Sequence, residues 1–208
     1  GSLLWEVANG AHHDIDLLPN GDMWILVRKA IVRPGDVDAI IEDSAVLLGP
    51  DGAEKRRISV TETLRQGPWA SILTGSRRKS GDLLHTNGID LIGDELVRHG
   101  PAFRPGNLLI SMRFVDTVAV LDPDAGAFVW ARKGPYQRQH DPHAVDGGRI
   151  LVFDNVGAAG RSRVLEIDPT TGEIPWEYRD TPDAPFYSRT CGIATRLPNG
   201  NTLVSEAM

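Results

Sequence analysis

Four times along the chain, a tight-turn sequence runs directly into a stretch rich in Ile, Leu and Val. These are LPNGDMWILV at 18–27, PGNLLISM at 105–112, DGGRILVF at 146–153 and LPNGNTLVSE at 197–206. Asn-Gly, Pro-Gly and Gly-Gly supply the turns, and the apolar runs behind them suit buried strands. A second unit follows two of these: VAVLDPDAGAFVW at 118–130 and RVLEIDPTTGEIPWEY at 163–178. The two copies align without a gap, since Asp122 and Asp168 are 46 residues apart, as are Trp130 and Trp176. Each reads as strand, four-residue turn, strand, and GPDGAEKRRISV at 49–60 reads as a further hairpin tip. Strands joined by such short turns argue against parallel βαβ units.

A period of about 46 residues with two hairpins per unit is the size of one four-stranded propeller blade. The expected fold is therefore all-β, a β-propeller of four-stranded blades, with about four to five blades in residues 1–208 as a single domain. An open sheet or sandwich with coincidental DP-x-x-G turns is the alternative. Insertions are expected near 61–80 and 94–104, with TETLRQGPWASIL forming a short surface helix in the first. The 22 glycines and 14 prolines fall largely where this scheme needs turns. A ring that does not close on itself would call for missing sequence, a reduced blade count, or a homo-oligomer or partner that completes it, because open sheet edges invite pairing.

The net charge of −6 argues against nonspecific nucleic-acid binding, with EKRR at 54–57 and RRK at 77–79 as local exceptions. A single cysteine excludes an intramolecular disulfide framework and a multi-cysteine metal site. No apolar run approaches the roughly 20 residues that a membrane span needs. Gly1-Ser2 reads as the scar of a cleaved expression tag, so a targeting segment can precede this sequence.

The histidines keep a register. His13 lies eight residues before Gly21, His85 eight before Gly93 and His140 eight before Gly148. Equivalent positions on successive blades converge on the central channel, which would gather three imidazoles there. Such a trio can bind a metal, or it can carry covalent and acid–base chemistry. Asp14 and Asp141 directly follow two of these histidines. Alternation along a strand turns them to the opposite face, where they would orient backbone or adjacent strands. Trp130 and Trp176 are expected to pack between blades, Asp124 and Asp168 to sit in hairpin tips, and Cys191 to be a small buried residue.

The ordered series LHTN (84–87), ISMR (110–113), QHD (139–141), FDN (153–155) and SRVLEID (162–168) resembles the bacterial arylsulfate sulfotransferase family, while LPNG and DPTTGEIPW also resemble quinoprotein-type propellers. The resemblance runs from HHDIDLLPNG through RLPNGNTLVSE, most of the chain. It implies a six-bladed propeller with a central active site, no cofactor and no metal. The implied activity moves a sulfuryl group from a phenolic sulfate ester to a phenol through a sulfohistidine. By the same resemblance His140 is the nucleophile, Arg113 binds the sulfuryl oxygens, and His85 and His13 assist, with His12 the alternative to His13. His143, Asn87, Asn155 and Tyr187 are candidate substrate-binding residues. The partners implied are a small aryl sulfate and a phenol, and the location is extracytoplasmic, periplasmic or secreted. Two alternatives stand beside this reading: a noncatalytic propeller that binds a ligand or protein, and a His-centred metal or quinone oxidoreductase.

Overall fold

Each hairpin turn returns its strand beside the one before, so the chain lays down antiparallel sheets in succession. The computed structural model describes residues 2–76, 78–157 and 160–207. Gly1 of the Gly1-Ser2 pair, Arg77 of the RRK run and Met208 lie outside the described residues.

The first sheet runs in the order β1 (Ala11–Leu17), β2 (Met23–Ile31), β3 (Ile40–Leu48) and β4 (Glu54–Ser59), with the short β5 (Gly81–Asp82) parallel to β3. The second is β6 (Thr86–Leu91), β7 (Leu108–Met112), β8 (Thr117–Asp122) and β9 (Ala127–Lys133). The third is β10 (His140–Val145), β11 (Arg149–Asp154), β12 (Arg163–Ile167) and β13 (Trp176–Arg179). The fourth has two strands, β14 (Ile193–Arg196) and β15 (Thr202–Ser205).

The 46-residue repeat has a simple physical origin. The Asp122 carboxylate accepts from the backbone N–H groups of Asp124 and Ala125, at 2.9 and 3.1 Å. Asp168 does the same for Thr170 and Thr171, both at 3.0 Å. Both close the β8–β9 and β12–β13 turns as Asx turns.

Successive sheets bury apolar faces against each other. All five residues of β7 are buried, because Leu108, Ile110 and Met112 pack toward the first sheet while Leu109 packs toward the third. Phe153 and Val164 continue the series toward Phe186 and Ala194. Trp130 packs on Phe103 with ring centroids 5.1 Å apart, and Trp176 lies beneath the Arg196 guanidinium.

These sheets correct the expected β-propeller. The all-β character and the hairpin order are present, but the four sheets are separate, none is closed into a barrel, and none is curled as a propeller blade arrangement requires. The repeat encodes strand order within each sheet, which is local. Closure relates the first sheet to the last, and no repeat carries that information.

The segment after β4 also differs from expectation. In place of one surface helix it forms α1 (Val60–Gln66) and α2 (Ala70–Thr74), separated at Gly67-Pro68, where proline disfavours helical backbone in the residue before it. Ser59 caps α1 by accepting from the Glu62 N–H, and Val60 and Leu64 enter the core between the first two sheets. The residues between β6 and β7 hold two 3-10 turns, Val97–His99 and Pro101–Phe103. This hairpin therefore closes at Gly106 rather than at Gly93, with Gly106 N–H donating to the Ile92 carbonyl.

Each sheet begins with an edge strand, and β1, β6, β10 and β14 lie beside one another in chain order. An edge strand leaves backbone N–H groups without a ladder partner, a cost when they are buried. Carboxylates from the preceding sheet satisfy them. Asp14 accepts from Ile89 N–H (2.9 Å), Asp16 from Leu91 (2.6 Å), Asp90 from Ala144 (2.9 Å) and Asp141 from Ala194 (2.9 Å). This is the role that strand alternation predicts for Asp14 and Asp141.

His143 joins two of these links, with Nδ1 3.0 Å from Asp90 and Nε2 3.0 Å from Asp141. Burial opposes its charge, but the hydrogen bonds that it donates to Asp141 and Asp90 outweigh burial and push its pKa up to about 10 from an ordinary 6.5. Because the folded value is the higher one, this stabilisation is complete below pH 6.5 and is lost as pH rises through about 10. Denaturant unfolding between pH 6 and pH 10.5 should show that decline in the wild type and a flatter profile in His143→Ala. The variant should lose about 2 kcal/mol near neutrality, a value reduced for the partial exposure of the ring.

Candidate active site

The histidines sit where the leading strands depart from extended geometry. Pairing is irregular between Ala11 and Ile15, between Thr86 and Gly88, and between His140 and His143. Non-glycine residues there adopt left-handed backbone: His13 (φ 58°), His85 (51°) and Asp141 (53°), and Cys191 (58°) does so just before β14. Each such residue costs about 1–2 kcal/mol, and bulges of this kind re-aim side chains. Pro142 is tolerated in β10 because that strand is an edge, and its ring fills the space that a side chain at Gly88 would need.

His140 is 6% exposed, and its Nδ1 lies 2.6 Å from Asn155 Oδ1. The Asn155 amide nitrogen donates to two carbonyls, Ser188 (2.9 Å) and Cys191 (2.5 Å). Carbonyls only accept, so the amide orientation is fixed and Oδ1 must accept from His140 Nδ1–H. The neutral ring then carries its lone pair on Nε2. Burial lowers the His140 pKa to about 4 against the raising effect of Asn155, and the charges of Arg113, His13 and His85 lower it further. At neutral pH the imidazole is therefore uncharged, with Nε2 unprotonated.

The other expected groups surround it electrostatically. His13 and His85 meet edge to face with centroids 4.8 Å apart, and His13 Nδ1 lies 2.7 Å from His12 Nδ1. Burial, then the charges of His85 and Arg28, hold the His13 pKa below its ordinary value. His12 is lowered to about 4 by burial and by His13, and its Nε2 lies 3.7 Å from Asp43. His85 Nδ1 lies 2.6 Å from Asp82, which also accepts from the His85 backbone N–H at 2.8 Å. Burial opposes ionisation of Asp82, yet the His85 contacts hold its carboxyl below the usual range.

Arg113 opens a 3-10 turn (Arg113–Val115) directly after β7, and its N–H donates to the His85 carbonyl at 3.2 Å. The residue is 7% exposed, and burial together with the Arg138 charge presses its pKa down. Among the described residues no carboxylate forms a salt bridge with it. Asp116 is engaged instead by the Arg138 N–H, and Asp141 by His143 and Ala194. A buried guanidinium without a carboxylate, beside the imidazoles of His140 and His13 whose charging burial opposes, makes a site suited to an anion.

The four candidate binding residues fare differently. Asn155 positions His140. Asn87 is buried, donates to the Gln139 carbonyl at 2.8 Å, and so fixes the backbone just before His140. His143 has both ring nitrogens occupied by carboxylates. Tyr187 is 53% exposed, and its backbone N–H is bound by Glu206. Cys191 is exposed rather than buried. Sequence reasoning missed Asp82 and Asp43. The Asp-x-x-His spacing in GDLLH was the available signal for Asp82, whereas Asp43 reaches Thr86 only through the fold, accepting from its N–H (2.9 Å) and Oγ1 (2.7 Å). Among the described residues, no group of three or more His, Cys, Asp and Glu side chains is placed to hold a metal ion.

The histidines and the buried arginine thus stand on a mostly antiparallel β scaffold. The sequence matches the arylsulfotransferase (ASST) family over residues 7–208, and the chain belongs to that family. Membership places it in a family of enzymes. No curated protein matches it. Among solved structures it is similar to a protein of unknown function from Bacteroides caccae, with 15% identity, a TM-score of 0.48, and coverage of 91% of this chain and 51% of that one. The chain thus spans about half the length of that protein. Among the described residues, no helix is long and apolar enough to cross a membrane.

Proposed function

We propose that this chain transfers a sulfuryl group from an aryl sulfate to a phenol through a sulfohistidine at His140. The observation that carries the reading is the Asn155 amide, whose two carbonyl contacts leave His140 Nε2 unprotonated. The Nε2 lone pair attacks sulfur. The N–S bond forms as the S–O bond to the aryl group breaks, and the electron pair leaves on the phenolate oxygen. With His13 adding a hydrogen bond, His85, whose Nδ1 is paired with Asp82, supplies the proton that neutralises the phenolate. In the second half-reaction the same imidazole takes the proton of the acceptor phenol, whose oxygen attacks sulfur as the N–S bond breaks. Arg113 donates to the sulfuryl oxygens, where negative charge is spread in both transition states. Asn87 and Asn155 hold the nucleophile, and His143 acts through the sheets. An extracytoplasmic setting goes with this reading.

The test is incubation of folded protein with a chromogenic aryl sulfate and a phenol acceptor, without any nucleotide. Release of the chromogenic phenol should depend on acceptor, and mass spectrometry of protein quenched without acceptor should find one sulfuryl group on the peptide containing His140. Absence of both turnover and adduct would sink the proposal. The pH dependence is a second check. With the His140 pKa at about 4, protonation removes the nucleophile only in acid, so kcat/KM should hold level from neutrality down and fall near pH 4. A limb centred near 6.5 would assign the nucleophile to a different group.

A further inference from the structure

A cavity of about 430 Å³ opens beside Arg113, bordered by Arg78, Phe114, Lys133, Arg138 and Asp116. Its charge runs against that of the molecule, with four cations around a single carboxylate on a chain of net charge −6. Asp116 is already committed, since its carboxylate accepts from the Arg138 N–H at 2.9 Å. Among the described residues Arg78, Lys133 and Arg138 have no salt-bridge partner. Arg78 Cζ instead stands 4.0 Å from the centre of the Phe114 ring, and that ring is 4.6 Å from His85. The cavity therefore borders the reacting centre through Arg113 and Phe114. The transferred sulfuryl group accounts for Arg113, and three cations remain without an assigned partner.

We infer that the cavity receives a second anionic group of the aryl substrate, a carboxylate, sulfonate or further sulfate ester carried away from the reacting oxygen. Phe114 lies beside the ring that bears it, and Arg78, Lys133 and Arg138 take the anion. This selects doubly charged aromatic substrates over neutral phenols. The substrate role rests on the sulfuryl-transfer reading, while the binding itself does not.

The two are separated by calorimetric titration of wild type with 4-hydroxybenzoate and with the neutral 4-hydroxybenzyl alcohol, repeated on a Lys133→Met/Arg138→Gln variant whose thermal unfolding matches wild type. The carboxylate should bind at least about tenfold more tightly than the alcohol, a preference that weakens with salt and disappears in the variant. Turnover of 4-nitrophenyl sulfate, which lacks a second anion, should stay within about twofold of wild type in the variant. Equal affinity for the two probes, or a preference that survives in the variant, overturns the inference. A carboxylate preference in protein that turns over no aryl sulfate supports the pocket while refuting sulfuryl transfer.

Discussion

Replacing His140 by glutamine should lower aryl sulfate turnover by about ten-thousandfold or more and abolish the sulfuryl adduct. Glutamine retains a polar group of similar reach, so the carbonyl contacts of Asn155 can persist. What disappears is the Nε2 lone pair, and with it the one protein atom that bonds to sulfur in the scheme. Stopped-flow mixing with a chromogenic sulfate in the absence of acceptor should give a burst in the wild type and none in the variant. A variant that keeps the burst would mean that the nucleophile lies elsewhere in the site. His13, whose pKa burial also holds below its ordinary value, would then be the first group to test.

Arg113→Met should cost about a hundredfold to a thousandfold in kcat, or about 3–4 kcal/mol in transition-state stabilisation, the range seen when one preorganised donor is removed. Arg113→Lys should recover only part of this. A point charge at that position keeps the attraction for the sulfuryl group but loses the planar pair of donors. The informative quantity is the split between the constants. If Arg113 tightens on the transition state, kcat should fall with little change in KM. A rise in KM alone would make it a ground-state anchor. Truncation here carries a structural risk that is small for its kind, because no carboxylate among the described residues is left unpaired when the guanidinium goes.

The sequence carried the sheets well and their assembly poorly. The Asn-Gly and Asp-Pro turns encode hairpins through local hydrogen bonds, as at Asp122 and Asp168, and local bonds repeat visibly. Whether separate sheets close into a ring depends on packing between residues far apart in the chain, and the 46-residue period has no access to it. The histidine register was informative for His13 and His140, each followed by the turn of its own hairpin. For His85 it worked through a coincidence: Gly93 stands at the right spacing, but the strand turns back only at Gly106, after the 3-10 segment. The tautomer of His140 was not legible at all, because it depends on carbonyls of Ser188 and Cys191 more than 30 residues beyond Asn155.

Each sheet meets chiefly the sheets next to it in chain order, so the molecule is a series of three junctions. The site draws on every member of that series: His13 from the first, His85 and Arg113 from the second, His140 and Asn155 from the third, and the carbonyls just before β14 from the fourth. The fourth is also the smallest, a two-stranded ribbon of the kind that holds together poorly without neighbours. If that last junction loosens, the Ser188 and Cys191 carbonyls withdraw, the Asn155 amide is freed to turn, and the proton on His140 can change nitrogens while the other sheets stay intact. On the proposed reading, the state of the nucleophile therefore depends on contacts from a sheet other than its own.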